Sequence, residues 1–162
     1  MTTLQKQYQA LTQAAGIARL EDRIVIRVAG DDRVAFMHGM CSQDIQSLRP
    51  GMAAPALVLT EHAHIVADFF VYATEDSLLL EIERSLWTLA RAHLEKFLVA
   101  DDVEFEELDG LTIVDVDGPA AAQAVAAIGP EAIKPLKEWR HFLATPARIA
   151  LIPRFGVPAY TL

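Results

Sequence analysis

This sequence of 162 residues has a single cysteine, Cys41, and few aromatic residues, which make up 7% of the chain. One cysteine excludes an internal disulfide and a cluster of thiolate metal ligands. No early apolar run follows a basic start, as a secretory signal requires, so the cytoplasm is the expected location. The most apolar stretches, near Ala53 to Leu59 and Ile65 to Tyr72, are far shorter than the roughly 20 residues that span a bilayer, so no membrane association is expected.

Basic residues are also scarce, since 14 Lys and Arg face 22 Asp and Glu, and the net charge is −8. Nucleic-acid binding draws on clustered Lys and Arg, and the absence of such a cluster argues against nucleic acid as a partner. The hydrophobic content of 52%, with 8 glycines and 8 prolines, is typical of an ordered globular protein. No internal repeat or linker divides the sequence, so we expect a single domain over residues 1–162.

Hydrophobic periodicity predicts both helices and strands. The predicted helices are Leu4 to Ala15 before Gly16, Asp31 to Met40, Arg84 to Leu98, and Ala120 to Ile128 before Gly129 and Pro130. The predicted strands are Arg23 to Val28, Ala54 to Thr60, Ile65 to Ala73, Leu78 to Ile82, Val103 to Glu107, Leu111 to Val116 and a last one around Arg148 to Ile152. This order indicates an α+β fold with a mainly antiparallel sheet, an antiparallel meander at its centre and helices on one face.

Two details of packing follow from the same patterns. The strand Ile65 to Tyr72 is apolar on both parities except at Asp68, which predicts a central strand covered on both faces. The spacing of apolar residues in the long helix places Phe97 on its buried side. We therefore expect Phe97 to belong to the hydrophobic core.

Three segments, in order along the chain, resemble motifs of one known family. Gly39 to Ile45 resembles Gly-x-x-Thr-Asn-Asp-Val, and His64 to Tyr72 resembles Gly-x-x-Asp-Asp-x-x-x-Tyr. Gly156 to Tyr160 is similar to Gly-Glu-x-Gly-Tyr. These motifs belong to the folate-binding superfamily that contains the glycine-cleavage T-protein and its non-catalytic YgfZ-type relatives. The resemblance covers nearly all of the chain and corresponds to the family's N-terminal half, without its second half.

The resemblance implies an aminomethyltransferase-like domain with tetrahydrofolate as its ligand. It implies that Gln43, Asp44, Asp68 and Tyr72 contact the folate. In the transferase the first acid of the Asp-Asp pair lies beside the reacting folate nitrogen, and Ala67 occupies that position here. The resemblance therefore implies a non-catalytic folate-binding protein of the YgfZ type, with a role in supporting iron-sulfur enzymes.

A second interpretation is a protein-interaction or structural domain that retains the fold without binding folate. Such a domain would pair with a second copy or with a partner protein that covers the missing half. Asp44 also fits an ordinary turn or cap residue as well as it fits a ligand contact. Cys41 is expected to be an inert packing residue, His93 a hydrogen-bonded core histidine, and His62 and His64 solvated turn residues, so no metal site is expected.

Overall fold

The backbone folds as two units in the computed structural model, which describes residues 2–127, 137–144, 147–153 and 159–161. The middle unit is Asp22–Leu111, and the terminal unit joins Met1–Glu21 to Thr112–Leu162. The helices of the described residues are α1 (Thr3–Gln13), α2 (Arg33–Met40), α3 (Arg84–Glu95) and α4 (Ala121–Ala126), with a 3-10 turn at Ile45–Ser47. The strands are β1 (Gly16–Leu20), β2 (Arg23–Ala29), β3 (Ala53–Leu59), β4 (Ile65–Ala73), β5 (Leu78–Glu83), β6 (Glu104–Glu107), β7 (Ile113–Asp117), β8 (Arg140–Ala144), β9 (Ala147–Leu151) and β10 (Ala159–Thr161).

The middle unit is a five-stranded antiparallel sheet with the order β3-β4-β5-β2-β6. The three strands β3, β4 and β5 form the predicted meander, so that prediction is confirmed. Gly30 ends β2 at φ +102°, a backbone conformation that residues with a Cβ rarely adopt. A Cβ on Gly30 would also meet the Asp102 carbonyl oxygen at 2.0 Å. The turn after β2 therefore requires glycine.

The hydrophobic core of the middle unit lies on one face of this sheet, because alternate residues of a strand point to the same side. Ile26 of β2, Phe69 of β4 and Leu80 of β5 are among its buried members. Met37 of α2 and Leu94 of α3 complete the same cluster. The helices of this unit thus cover one face of an antiparallel sheet, and the predicted α+β fold class is confirmed.

Strand β4 pairs with β3 on one side and β5 on the other, as predicted for a central strand. The prediction that both of its faces are covered holds only in part, because Tyr72 on the second face is 5% exposed but its neighbours on that face are more accessible. Ala67, Phe69 and Val71 are buried beneath the helices, whereas Asp68 is exposed and Phe70 only half-buried on the other side. The difference arises because α2 and α3 pack on the same face of the sheet.

Helix α3 ends at Glu95, three residues before the predicted end at Leu98. Its buried residues are Trp87, Ala90 and Leu94. Phe97 lies beyond the helix and is 49% exposed, so the prediction that it belongs to the core is wrong. The apolar periodicity continued past the last helical turn, where the chain no longer follows a helical path.

The terminal unit is a second five-stranded antiparallel sheet with the order β1-β7-β10-β9-β8. Val116 of β7, Val125 of α4 and Ile149 of β9 are buried in its own small core. Periodicity missed β1, β8 and β10, which are short. The predicted helix end at Ile128 lies outside the described residues, as do Gly129, Pro130 and residues 156–158 of the third motif. In the described part of the chain, no helix has the length and hydropathy needed to cross a bilayer.

Candidate functional site

The candidate site lies on the face of the middle-unit sheet that α2 and α3 leave uncovered. We call it the distal face and define it by Arg23, Asp68, Phe70, Tyr72 and Glu81. Phe70 lies directly opposite Glu81 in the β4–β5 register, and residues that lie opposite each other in an antiparallel pair point to the same side of the sheet. Two of the four predicted folate contacts, Asp68 and Tyr72, therefore share this face.

A buried charged network crosses three strands of the distal face. Glu81 is 2% exposed, and its Oε1 accepts a hydrogen bond from Arg23 Nε at 2.7 Å. Arg23 Nη2 donates a second bond to the Glu81 carbonyl oxygen at 2.9 Å. The Tyr72 hydroxyl donates to Glu81 Oε2 at 2.6 Å, which is the short range expected of a bond to a carboxylate. Two donors thus satisfy the buried carboxylate, and the network fixes the Tyr72 ring.

An aromatic surface adjoins this network. The Arg23 guanidinium lies 5.7 Å from the centroid of the Phe70 ring, within cation–π range. Phe70 itself is half-buried, so part of its ring faces away from the sheet. The distal face therefore combines a flat apolar surface with fixed polar atoms, which is the combination that small-molecule sites use.

The two residues of the acid-pair motif point in opposite directions. Ala67 is 1% exposed and belongs to the hydrophobic core beneath the helices. Asp68 is exposed on the distal face, and no hydrogen bond or ion pair holds its carboxylate among the described residues. The side chain at position 67 therefore points away from the distal face, and the catalytic role that the resemblance gives to this position remains a prediction. Position 68 is the one that faces outward.

Gln43 and Asp44 lie beyond the β3 edge of the sheet. Ser42 pairs with Leu57, since Ser42 N donates to the Leu57 oxygen at 2.9 Å and Leu57 N donates to Ser42 Oγ at 3.0 Å. Leu57 of β3 lies opposite Asp68 of β4. Ser42 is therefore roughly 10 Å from Asp68, across β3, at the usual spacing of strands. Gln43 and Asp44 follow Ser42 in the chain, so they lie about two strand spacings from Asp68 rather than beside it.

The side chain of Asp44 has local partners. Its Oδ1 accepts a hydrogen bond from Ser47 N at 3.3 Å and lies 3.4 Å from His38 Nδ1. Asp44 thus caps the 3-10 turn at Ile45–Ser47, as expected if Asp44 is an ordinary turn or cap residue. Its contact with folate remains a prediction.

Cys41 and the three histidines His62, His64 and His93 were not expected to bind a metal or a ligand. Cys41 Sγ lies 3.7 Å from the Gln43 carbonyl oxygen, and burial raises the pKa of the Cys41 thiol. His93 Nε2 lies 3.2 Å from the Leu59 carbonyl oxygen. His62 and His64 are exposed in the β3–β4 turn. Within the described ranges, no group of three or more His, Cys, Asp or Glu side chains is arranged to hold a metal ion.

Comparison with known proteins assigns the family of this fold. The sequence profile of the GCVT N-terminal domain matches residues 1–155. The chain belongs to this family. Membership in the GCVT N-terminal domain family confirms the superfamily that the motifs resemble.

Curated relatives of this GCVT N-terminal domain carry the name aminomethyltransferase. The Deinococcus deserti protein is 26% identical over 124 residues, which are 75% of this chain and 35% of the relative. The Bacillus subtilis (strain 168) protein is 23% identical over 158 residues, which are 96% of this chain and 44% of the relative. The chain thus spans less than half the length of these relatives.

A solved structure shares the fold. The glycine cleavage system aminomethyltransferase T from Bartonella henselae superimposes with a TM-score of 0.83 at 22% sequence identity. The match covers 96% of this chain and 43% of that protein. The two-sheet architecture is therefore the fold of the corresponding part of that aminomethyltransferase.

Sequence reasoning missed Arg23 and Glu81 as part of the candidate site. Alternation placed both of them on the polar sides of their strands, and polar sides are usually solvated. Their pairing depends on the β2–β5 register, in which Val25 lies opposite Glu81, and one strand's pattern carries no information about its partner's register. The available signal was a lone acid, Glu81, in an otherwise apolar run from Leu78 to Ile82.

Proposed function

We propose that this GCVT N-terminal domain binds a tetrahydrofolate-type ligand on the distal face of the middle-unit sheet. The observation that carries the proposal is the exposed Asp68 carboxylate beside the half-buried Phe70 ring on the same face of β4. Tetrahydrofolate offers N–H groups for a carboxylate to accept and a flat ring system for an aromatic surface to stack on. Family membership supplies the ligand class.

The Tyr72–Glu81 hydrogen bond determines what Tyr72 offers to such a ligand. A phenol has one hydrogen to donate, and Tyr72 gives it to Glu81 at 2.6 Å. The Tyr72 hydroxyl hydrogen is therefore not available to a ligand. Asp68 is an acceptor when ionised, so it selects for ligand donors.

We further propose that the chain binds folate without transferring an aminomethyl group, as the YgfZ type does. Only one acid of the family's Asp-Asp pair is present, because Ala67 replaces the other. A side chain that assists proton transfer has to be held within hydrogen-bond reach of its target. No partner among the described residues positions the Asp68 carboxylate for such a role. A role in supporting iron-sulfur enzymes belongs to the same proposal.

Calorimetric titration with tetrahydrofolate tests the binding. We expect saturable binding that weakens on Asp68→Asn and on Tyr72→Phe. Glu104→Gln is the matched control, since it neutralises an exposed carboxylate on β6, the opposite edge strand of the same sheet. Equal affinity in all four proteins, or no binding by the unmodified chain, would contradict the proposed site.

A turnover assay on the same proteins tests the non-catalytic role. We expect no aminomethyl transfer by the unmodified chain at folate concentrations that saturate binding. Turnover that Asp68→Asn abolishes would contradict the non-catalytic role and would assign the acid to Asp68. Activity of an iron-sulfur enzyme in cells that lack the protein tests the remaining part of the proposal.

One observation favours the alternative of a protein-interaction domain. Helix α1 has no buried residue, and its apolar side chains Leu4 and Tyr8 are 75% and 67% exposed. An exposed apolar helix stripe is typical of a contact surface. Sedimentation of the wild type beside Leu4→Ser/Tyr8→Ser tests this alternative. A larger wild-type species that the double variant converts to monomer would support it.

A further inference from the structure

A cavity of about 360 Å³ lies in the middle unit, apart from the distal face. It lies between the end of α2, the residues after β3 and the end of α3. Gly39, Cys41, Glu61, His93 and Phe97 are among the residues that line it. Its volume is within the range of about 300 to 1,000 Å³ that small-molecule pockets occupy. It is large enough for a small ligand with one ring.

None of the residues that define the distal face lines this cavity. Its helix walls belong to α2 and α3, which cover the opposite face of the sheet. The proposed folate site on the distal face therefore does not account for it. A function for the cavity has to be argued from its own walls.

The walls favour positive charge. Gly39 is in the last turn of α2, and Phe97 follows the end of α3, so two helix C-termini border the cavity. The C-terminal end of a helix carries partial negative charge, although the last carbonyls of α3 accept hydrogen bonds from the residues that follow the helix. Glu61 adds a carboxylate to the rim, and its Oε1 also lies 3.6 Å from His62 Nε2. No Lys or Arg belongs to the described lining, although Lys96 at the C-cap of α3 directly precedes Phe97.

The polar side chains of the walls are those of Cys41, Thr60, Glu61 and His93. His93 Nε2 lies 3.2 Å from the Leu59 carbonyl oxygen, and a carbonyl only accepts, so this nitrogen is used as a donor inside the protein. Burial raises the pKa of the Cys41 thiol and keeps it uncharged at neutral pH. The Thr60 hydroxyl and the Cys41 thiol can donate, and the Glu61 carboxylate is the acceptor that a ligand cation meets.

The cavity also has an aromatic wall. The rings of His93 and Phe97 pack edge to face, with centroids 5.3 Å apart. Phe97 is 49% exposed, which leaves part of its ring free to contact a ligand. An ammonium group over such a ring gains cation–π attraction.

We propose that this cavity binds an ammonium group carried on a small apolar body. Helix C-termini and Glu61 attract the charge, and the ring of Phe97 covers the apolar part. A free aromatic amine and a lysine side chain of a protein have this shared chemistry. The space in front of Gly39 makes room for the ligand, since a Cβ on Gly39 would meet no atom within 4 Å.

Titration with benzylamine, followed by amide chemical shifts, tests the proposal. We expect saturable shifts at Gly39, Cys41 and Glu61, with benzyl alcohol and benzoate binding at least about tenfold more weakly. Nα-acetyl-lysine methylamide, which keeps its side-chain ammonium, separates the two sources. Binding tighter than that of benzylamine indicates a protein lysine, and weaker binding indicates a free amine. Absence of saturable shifts at these amides, or equal binding of benzoate, would overturn the proposal.

Three variants locate the bound amine. Gly39→Leu fills the cavity and is expected to abolish benzylamine binding, whereas Ala92→Leu, on the exposed side of α3, leaves it unchanged. Glu61→Gln is expected to weaken binding roughly two- to fivefold, as for an exposed ion pair. Phe97→Ala, at an exposed position beyond the helix, serves if Gly39→Leu fails to fold, and it is expected to weaken binding as well. Unchanged binding in both Gly39→Leu and Phe97→Ala would also overturn the proposal.

Discussion

The Tyr72 hydroxyl donates to the Glu81 carboxylate at 2.6 Å on the distal face, where Glu81 is 2% exposed and Tyr72 is 5% exposed. A carboxylate this deeply buried is tolerated only when donors satisfy its oxygens. Arg23 and Tyr72 each supply one oxygen of Glu81 with a donor. The orientation of a predicted ligand residue, Tyr72, thus depends on a charge pair that joins β2 to β5.

Removal of the Glu81 carboxylate is the first prediction. Glu81→Ala leaves the part-buried Arg23 guanidinium without its carboxylate partner, and we expect it to lower the free energy of unfolding by about 3 kcal/mol. Tyr72→Phe removes one hydrogen bond to a charged group and is expected to lower it by about 1.5 to 3 kcal/mol. Urea melts of the two single variants and the double variant give the coupling free energy between the two side chains. Strict additivity would show that the two side chains do not act together.

Two alanine substitutions, one in α3 and one just after it, test the packing of that helix. Leu94 is fully buried, so Leu94→Ala is expected to lower the free energy of unfolding by about 2 to 5 kcal/mol through the cavity it leaves. Phe97 is half-exposed, so Phe97→Ala is expected to lower it by about 1 kcal/mol or less, although a buried ring in its place would cost about 3 to 5 kcal/mol. Urea melts measure both. A larger loss for Phe97→Ala than for Leu94→Ala would contradict the position of the helix end.

Much of the fold was predictable, because long periodic segments report their own secondary structure. The amphipathic run in α3 and the alternation of Leu78, Leu80 and Ile82 in β5 are local signals, and the structure has both elements. The short strands β8 and β10 carry no such signal, since β10 has only three residues and the residues of β8, Arg140–Ala144, do not alternate between polar and apolar. Their existence depends on pairing with β7 and β9 across the terminal unit.

The candidate site was less predictable than the fold. The motif placed Asp68 and Tyr72 on one strand, and strand parity put both on one face, which the structure has. The sequence alone did not decide which face the helices cover, and this choice determines that Ala67 is buried and Asp68 exposed. The Arg23–Glu81 pair required the strand register, which is a property of two strands together.

Two glycines test the backbone requirements of the middle unit. Gly30 has φ +102°, and an added Cβ would lie 2.0 Å from a backbone oxygen, so Gly30→Ala is expected to lower the free energy of unfolding by about 1 to 3 kcal/mol. Gly39 is helical with open space around it, so Gly39→Ala is expected to raise it by up to about 1 kcal/mol. Thermal or urea melts measure both signs. Destabilisation by Gly39→Ala would mean that its side-chain direction is obstructed.

The Cys41 thiol gives a pH-dependent prediction. Burial raises the pKa of Cys41, an effect that a backbone hydrogen bond with Gln43 only partly opposes. The folded state disfavours the thiolate, so this stabilisation is complete below the unfolded pKa of about 8.5 and is lost as pH rises through the higher folded value. Alkylation by iodoacetamide should be slower in the folded protein than in urea at pH 8, and its rate should still rise above about pH 9. A plateau of the folded rate below pH 8.5 would contradict the raised pKa.

The last prediction separates the two positions of the acid-pair motif. Ala67 is 1% exposed within the hydrophobic core, so Ala67→Asp places a carboxylate among apolar side chains that supply no hydrogen-bond donor. We expect it to lower the free energy of unfolding by about 3 kcal/mol or more at neutral pH, and by less at acid pH, where the carboxyl is protonated. Asp68→Asn changes an exposed side chain on the opposite face and is expected to alter stability by less than about 0.5 kcal/mol while weakening folate binding. Urea melts at pH 7 and pH 4 measure the first effect, and calorimetric titration measures the second. A stable Ala67→Asp variant that gains aminomethyl transfer would show instead that position 67 faces the ligand, and that the distal face is not the binding face.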